Sequence, residues 1–464
     1  MNNISKFKEC KFVKAVQQIL SSKYFSFITA ALTLMSYYIG LDIFLYYYIA
    51  LVGIAILLLL DDATPFISLL LFMSIAISYK NTPRSIVASD YYKMPEIYIQ
   101  IGIIIGLLIA VAIYRLIRTI VYKRFKITPI FFGMCGFSII LMTNGIFSKG
   151  YSPTNLLYGF ILAACILGFY SFLKDNVKLD SEGFEKIAYS FFAFSIVLLI
   201  ELFVAYFTTE GLFENGTINR DKLVFGWGVY TIYGVMLAMC IPGTIYLAAK
   251  KKFVFVYTLY SVLLFIALFF SCCRQAMVFG PIVYLTCIVI LFVKGENKFA
   301  NACVLTAAAV GGIILIAAYN ETVIRFFEVI FDNMIVDGEL NGSGRIQLWQ
   351  EAISNFKKYP ILGAGFYYSR PFKLSFLPSM YHNTILQLLS CSGIIGLIVY
   401  LAHRTQTVIS FSKNITVERS FIALTALSVL LLSLLDNHIF NIFPTIIYSA
   451  LIAVLDKSEE KIES

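Results

Sequence analysis

Charged residues are scarce in this sequence. Only 14% of its 464 residues are Asp, Glu, Lys or Arg, and 59% are hydrophobic, whereas soluble domains carry about 25% charged residues. This composition argues against a soluble globular protein and predicts a protein of the lipid bilayer. The net charge of +9 then reflects the orientation of loops at the membrane, and nucleic acid is not an expected partner.

Several motifs of common enzyme and transporter classes are also missing. The sequence has no Walker motif, no glycine-rich dinucleotide turn, no Asp-x-Asp pair and no Cys-x-x-Cys. These absences disfavour an ATP-driven pump, a transferase that uses a metal with a nucleotide sugar, and a zinc site. The nine cysteines are scattered, so no disulfide framework is indicated. We expect neither a cofactor nor a metal.

Long apolar runs make up most of the chain. A membrane-spanning helix needs about 20 apolar residues, and these runs are continuous, which indicates helices and not the alternating strands of a barrel. Two pairs of runs are close together, so we expect an all-α polytopic transmembrane helical bundle of 12 to 14 spans. The fourteen runs are 24–40, 43–60, 64–79, 97–117, 129–147, 154–173, 187–208, 225–247, 253–272, 276–293, 299–318, 383–402, 420–436 and 438–455.

The distribution of Lys and Arg predicts the orientation of the chain. With the N-terminus inside and fourteen spans, the inner segments hold 23 of these residues and the outer segments 13, six of them in the long segment 319–381. Short cytoplasmic loops are rich in Lys and Arg, but long loops escape the rule, which leaves 23 against 7. We therefore expect both termini in the cytoplasm. Three regions follow: 1–318 with eleven helices, 319–381 as an extracytoplasmic loop carrying part of the functional site, and 382–464 with the last helices and a cytoplasmic tail.

The long outer segment contains a predicted amphipathic helix at 344–358. Arg345 falls about 60° from the centre of its apolar stripe, so the side chain could reach a cavity above the membrane while the stripe lies on the bundle. Pro360 would end the helix, and Gly363 and Gly365 would allow a tight return of the chain. The alternative is an interfacial helix with an exposed arginine. The stripe consists of Ile346, Trp349, Ile353 and Phe356, which recur at helical spacing.

Two further polar residues stand where a span begins. Arg274 lies between two apolar runs with almost no loop, where an arginine is costly unless it is paired or faces water. It is either an anion clamp, since guanidinium binds phosphate oxygens bidentately, or a snorkelling residue. His382 directly precedes the span 383–402. A neutral imidazole there could accept a hydroxyl proton near pH 7, but a histidine that only caps the helix or packs beside it is equally compatible with the sequence.

The two other histidines are weaker candidates. His438 also lies at the predicted outer end of a span, beside Asp436 and Asn437. His403 is expected on the cytoplasmic side with Arg404, as part of the positive-inside pattern.

These motifs together resemble the O-antigen ligase and polymerase superfamily. Its members are polytopic glycosyltransferases of the GT-C type with a large loop on the outer face, and the resemblance covers about 130 residues, 271–400. Where the family pattern often has Ser-Arg, this chain has Cys273-Arg274, which changes a neighbour and not the charge. The residues that carry the resemblance are Arg274, Gly344-Arg345, Trp349, Pro360-Ile-Leu-Gly363-Ala-Gly365, His382-Asn383 and Ser392-Gly393-Ile-Ile-Gly396.

The resemblance implies a reaction and a set of substrate contacts. The donor is a glycan on a polyprenyl diphosphate at the outer face of the inner (cytoplasmic) membrane, and the acceptor is a hydroxyl. Arg274 and Arg345 would hold the diphosphate charge in place of a metal, His382 would orient or deprotonate the acceptor, and Trp349 and Asn383 are further expected substrate contacts. Expected partners are the lipid-linked oligosaccharide, the acceptor glycan, membrane lipids, and a chain-length regulator or flippase.

The acceptor separates two readings within the superfamily. A polymerase of O-antigen or capsule type extends another lipid-linked repeat unit, whereas a ligase transfers the glycan to a lipid core or protein. We favour the polymerase. A non-catalytic transporter of lipid-linked sugars is the alternative from another class, but it would be expected to carry its cationic groups in a central cavity and not in one outer loop.

Overall fold

The computed structural model describes most of the chain, and the regular structure in that part is helical apart from two short antiparallel hairpins. The hairpins pair β1 (Phe213–Glu214) with β2 (Thr217–Ile218), and β3 (Ile335–Val336) with β4 (Glu339–Leu340). The described residues are 10–39, 42–76, 95–122, 126–149, 151–214, 217–225, 229–251, 253–331, 335–336, 339–340, 345–368 and 380–463.

Each of the fourteen predicted apolar runs contains a helix. The expected all-α polytopic bundle is confirmed. The helices are α1 (Lys11–Ser21), α2 (Phe25–Ile39), α3 (Asp42–Leu59), α4 (Thr64–Ala76), α5 (Pro95–Tyr122), α6 (Pro129–Thr143), α7 (Pro153–Lys174), α8 (Ser181–Thr208), α9 (Tyr230–Lys250), α10 (Val254–Phe270), α11 (Arg274–Lys294), α12 (Lys298–Ala318), α13 (Asn320–Phe331), α14 (Arg345–Lys358), α15 (Thr384–Ser412), α16 (Val417–Ser433) and α17 (Ile442–Glu463).

Seven helices in the described part are long and apolar enough to cross a membrane, and they are α5, α7, α8, α9, α11, α12 and α15. The pair α1 and α2, bent by 84°, adds an eighth if it is one broken span. Four shorter apolar helices accompany them. On α12 the side chains of Ile313 and Ile314 are 67% and 61% exposed, as expected for a surface covered by lipid. The count of 12 to 14 spans stays a prediction.

Two compact units divide the chain, and the first comprises 1–125 and 172–315. Its central helix is α9, in which all residues from Tyr233 to Ala249 are buried. A helix that is apolar on every side needs neighbours all round, and α8, α10 and α11 pack against it. The three-region division expected from the sequence refers to the membrane and stays a prediction.

Arg115 shows how the first unit accommodates a buried charge. Its Nη1 donates to the carbonyl of Leu57 at 2.8 Å, and its Nε donates to Asn176 Oδ1 at 2.8 Å. Further bonds reach the carbonyls of Leu60 and Asp61. The last carbonyls of a helix lack partners within that helix, so this arginine caps α3.

The second unit comprises 126–171 and 316–464 and contains every candidate residue of the outer segment. Its framework is the pair α6 and α15, which approach closely along small residues. A Cβ on Gly136 would lie 3.2 Å from Val399, and one on Gly396 would lie 3.2 Å from Ile140. Helices α16 and α17 pack against each other, and α14 packs on α15.

The orientation of the chain can be tested by cysteine labelling in intact cells. We expect a membrane-impermeant maleimide to label Asn341→Cys, because the charge distribution predicts that segment 319–381 lies outside. Ser464→Cys should react only after permeabilisation. Ser458 is unsuitable for this purpose because its side chain is buried. Cys10 and Cys303, the exposed cysteines of the described part, would be replaced by serine. Labelling of Ser464→Cys in intact cells would overturn the orientation.

Candidate functional site

Helix α15 is broken at Gly393, and the motif around Gly363 fills the break. Gly393 has φ +66° and ψ −165°, which is not helical. The N–H groups of Ala364 and Gly365 donate to the carbonyls of Ser390 and Cys391, at 2.7 and 3.1 Å. The exposed backbone groups of a broken helix need such partners inside a membrane.

The same motif also supplies acceptors for the other side of the break. Ile394 N–H donates to the carbonyl of Pro360 at 2.8 Å, and Ile395 N–H to that of Ile361 at 3.3 Å. A Cβ on Gly363 would lie 2.2 Å from the Cys391 backbone, so only glycine permits this approach. Two motifs that are about 30 residues apart in the sequence therefore form one structural element, which fixes the first turns of α15.

His382 immediately precedes this fixed helix start and has an unusual backbone. Its φ is +49°, in the left-handed region that non-glycine residues rarely occupy. The next residue, Asn383, is the N-cap of α15, since its Oδ1 accepts from Leu386 N–H at 2.9 Å. Strained backbone of this kind clusters at functional sites.

Asp436 lies between His382 and His438. The Nδ1 of His382 is 2.8 Å from Asp436 Oδ1, and the Nε2 of His438 is 3.7 Å from Asp436 Oδ2. The side chain of His382 is 40% exposed, that of Asp436 10% and that of His438 1%. One carboxylate therefore joins an accessible imidazole to a buried one.

The electrostatics of this group keep Asp436 ionised. Burial raises the pKa of the Asp436 carboxyl, but His438, the hydrogen bond from His382 and the Asn437 N–H lower it more, so the pKa lies well below its usual range. Burial lowers the pKa of the His438 imidazole more than Asp436 raises it, and the charge of Arg345 lowers it further. A carboxylate that accepts from Nδ1 fixes the tautomer of His382 and leaves Nε2 able to take a proton.

Arg345 belongs to the same group of residues. It is the first residue of α14, and its Nη1 donates to the carbonyl of Leu435 at 3.0 Å. Within the described part of the chain, no carboxylate lies within salt-bridge distance of this guanidinium. Arg345 thus reaches the turn that carries Asp436 and retains donors for an anion.

The polar groups of Trp349 and Asn383, which were expected to contact substrate, form hydrogen bonds within the protein. The Trp349 Nε1–H donates to the carbonyl of Tyr381 at 2.9 Å, which ties α14 to the residue before His382. Asn383 uses its side-chain oxygen as the helix cap. Both polar groups therefore support the backbone around His382, and substrate contact through their remaining surface stays a prediction.

The helix predicted at 344–358 is confirmed, with one difference in the face that it buries. It begins at Arg345 and ends at Lys358, before Pro360. The buried residues are Ala352 and Asn355, whereas Ile353 is 43% exposed. The prediction that the whole apolar stripe lies on the bundle was wrong, because Asn355 is buried to donate to the Tyr381 hydroxyl at 2.9 Å. Ser343, whose hydroxyl would suit the N-cap of this helix, lies outside the described residues.

Arg274 lies in the first unit, whereas the other candidates lie in the second. It is the first residue of α11, where the helix dipole adds positive potential. Cys272, two residues before Arg274, has φ +54°. Both Cys272 and Cys273 are fully buried, as is usual for small apolar side chains. The structure brings together Arg345, Trp349, His382 and Asn383, and the role of Arg274 stays a prediction.

His403 and Arg404 lie within helix α15 and not in a loop. His403 is fully buried within α15, and its Nε2 lies 3.3 Å from the Tyr448 hydroxyl. The Arg404 guanidinium lies 4.4 Å from the ring centroids of both Tyr400 and Tyr448. Helix α15 continues to Ser412, ten residues beyond the predicted end of the span, and the expected cytoplasmic position of these two residues stays a prediction.

Asp436 is the residue of this group that the sequence analysis did not select as a candidate, and its signal was an acid in a very short connection between two apolar runs. Among the described residues, no group of three or more His, Cys, Asp or Glu side chains could hold a metal ion.

Comparison with known proteins gives one family. Residues 259–401 match the family model described as O-antigen ligase. This range includes Arg274, Arg345, Trp349, His382 and Asn383, but not Asp436. No curated protein matches the chain.

Proposed function

We propose that the chain is a polysaccharide repeat-unit polymerase of the O-antigen ligase and polymerase superfamily, which the family match at residues 259–401 supports. It transfers a glycan from a polyprenyl diphosphate to an acceptor hydroxyl at the outer face of the cytoplasmic membrane. The family match supports a glycosyltransferase-type enzyme of the membrane and does not distinguish polymerase from ligase.

The observation that carries the proposal is the pair of His382 and Asp436. The accessible imidazole is hydrogen-bonded through Nδ1, at 2.8 Å, to a carboxylate that is almost buried. This is the arrangement of a general base with an orienting acid. His382 Nε2 accepts the proton of the acceptor hydroxyl, and ionised Asp436 stabilises the imidazolium that forms.

The leaving group requires a second function, which Arg345 supplies. The bond between the anomeric carbon and the diphosphate oxygen breaks, and the lipid diphosphate leaves with the electron pair. The acceptor oxygen forms the new bond to the anomeric carbon, and its proton passes to His382. A guanidinium beside the same turn stabilises the charge that develops on the phosphate, without a metal. Arg274 is proposed to be needed for the same step, as the superfamily motif implies.

Product analysis with purified protein tests the proposal. The protein would be mixed with its polyprenyl-diphosphate-linked repeat unit, alone or with a lipid core acceptor. A polymerase makes a ladder of longer lipid-linked chains from the repeat unit alone. A ligase makes product only with the core acceptor. Absence of any transfer under both conditions would count against a glycosyltransferase and favour the transporter.

Asp436→Asn is expected to lower the transfer rate by about ten- to a hundredfold, on the scale of misplacing a catalytic group by about 1 Å. The amide can no longer stabilise the imidazolium, and it no longer dictates the tautomer of His382. Donor binding should be unchanged, since Arg345 keeps its contact with Leu435.

Asp456→Asn is the matched control for this variant. Asp456 is also buried, lies in the same unit and accepts hydrogen bonds from Thr128 and Tyr170. Its replacement removes a buried carboxylate without touching His382. Equal loss of rate in both variants would reduce Asp436 to a structural residue.

A further inference from the structure

Two side-chain amides enclose the backbone of His382. Gln387 Oε1 accepts from Tyr381 N–H at 2.9 Å, on one side of the histidine. Asn437 Oδ1 accepts from Asn383 N–H at 3.1 Å, on the other side. The two amides are joined to each other, because Asn437 Nδ2 donates to Gln387 Oε1 at 2.8 Å. We refer to Gln387 and Asn437 together as the amide clip.

The hydrogen bonds of the clip fix the orientation of the Asn437 amide. If the Asn437 amide were turned over, its NH₂ would face the Asn383 N–H, and its oxygen would face Gln387 Oε1. Two donors and two acceptors would then oppose each other. Both residues are fully buried or nearly so, at 0% and 1% exposure, so water cannot replace a lost bond and each unsatisfied group would be costly.

Such a clip has a physical purpose at this position. A left-handed backbone at a residue other than glycine is energetically unfavourable and persists only where the surroundings over-determine it. Here the amides on both sides of His382 are bound, and Trp349 holds the Tyr381 carbonyl between them. Without these bonds, His382 would relax to the right-handed or extended region, and its ring would leave Asp436.

The clip is also connected directly to the orienting acid. The backbone N–H of Asn437 donates to Asp436 Oδ1 at 2.8 Å, the oxygen that also binds His382 Nδ1. One residue therefore fixes the backbone after the histidine and the carboxylate that orients its ring. The histidine and its partner cannot move independently while Asn437 is in place.

We propose that Gln387 and Asn437 are positioning residues, which hold His382 in its left-handed conformation so that Nδ1 stays on Asp436. This inference rests on the proposed role of His382 as the base. Neither amide touches the substrate, and the effect of each is transmitted through the backbone of residues 381–383.

Substitution of the clip should lower turnover and leave donor affinity unchanged. We expect Asn437→Ala and Gln387→Ala each to reduce kcat by about ten- to a hundredfold, on the scale of a 1 Å misplacement of a catalytic group, with KM for the lipid-linked donor unchanged. Gln387→Glu in its protonated form keeps the acceptor oxygen and should retain most of the activity. The double variant Gln387→Ala/Asn437→Ala should be about as slow as the slower single variant, because both residues act through one backbone segment.

Asn301→Ala is the matched control, since Asn301 is a fully buried amide of the first unit that bonds to Thr258. It should keep normal kcat. Hydrogen exchange measured by mass spectrometry gives a readout independent of activity: residues 381–386 should exchange faster in both clip variants and not in Asn301→Ala.

His382→Ala, measured beside them, separates the two proposals. If His382→Ala is inactive while Asn437→Ala has normal kcat and normal exchange, the clip inference is wrong and the proposed function stands. If His382→Ala is fully active, the proposed base is wrong. Faster exchange in the clip variants would then still support the backbone role.

Discussion

His382→Ala is expected to slow glycan transfer by about 10²- to 10⁴-fold, the usual contribution of a general base. Lipid-linked donor should still bind, because Arg345 contacts Leu435 and not the histidine. In cells, the long-chain glycan should be lost while the donor accumulates. The measurement is the length of the glycan on gels, together with donor binding to the purified variant.

His382→Gln distinguishes proton transfer from orientation. Glutamine can donate a hydrogen bond to Asp436 but cannot accept a proton at neutral pH. If the imidazole is the base, Gln should be nearly as slow as Ala. If Gln retains near-normal activity, His382 orients the acceptor hydroxyl and another group takes the proton.

His403→Gln is the matched control for a histidine substitution. His403 is buried in α15 and bonds to Tyr448, so its replacement tests the general tolerance of the bundle. We expect near-normal transfer and normal protein level for this variant. Near-normal activity of His382→Ala would mean that the histidine only shapes the start of α15.

The fold was largely predictable because it depends on apolar runs that are long enough to lie in lipid, and these runs can be read directly from the sequence. A continuous apolar run long enough for lipid must become a helix, and each of the fourteen runs contains one. The exact ends were less predictable. Helix α15 extends to Ser412 and therefore contains His403, which lies beside the Tyr448 hydroxyl, and Arg404, which lies over the rings of Tyr400 and Tyr448.

The break in α15 was visible only in part. The sequence suggested that Gly363 and Gly365 allow a tight turn, and both have positive φ, +70° and +93°. It did not suggest that this turn supplies hydrogen bonds to the break at Gly393. That pairing joins segments about 30 residues apart, and local periodicity carries no information on such contacts.

Asp436 escaped prediction for a related reason. In the sequence it is one acid between two apolar runs, 54 residues after His382. Only tertiary packing brings the turn after α16 beside the start of α15, where Asn437 and Thr384 also bind across. The sequence could identify polar residues at span ends, but not which ends meet.

Arg345→Ala is expected to abolish long-chain glycan or nearly so, at a normal protein level. Loss of one preorganised donor to a developing negative charge costs about 2–4 kcal/mol, or on the order of 10²–10³ in rate. The variant also loses the bond to the Leu435 carbonyl, next to Asp436. Rates would be measured with purified protein and lipid-linked donor, in EDTA, because the proposed mechanism needs no metal.

Arg345→Lys tests the geometry of the contact. Lysine keeps the charge, but it is a point donor and cannot bind Leu435 and two phosphate oxygens with a planar fork. We therefore expect Lys to recover little of the lost rate. Recovery to near the natural rate would mean that charge alone is sufficient and that the bond to Leu435 is incidental.

Lys358→Ala provides the matched control, because Lys358 is exposed at the other end of the same helix. It removes a positive charge about 20 Å away along α14 and should leave the rate unchanged.

Arg274→Ala is expected to resemble Arg345→Ala if the superfamily motif has the role proposed for it. Full activity of Arg345→Ala would leave this arginine as a link between α14 and the turn that carries Asp436. The leaving diphosphate would then depend on Arg274, and Arg274→Ala alone should abolish transfer.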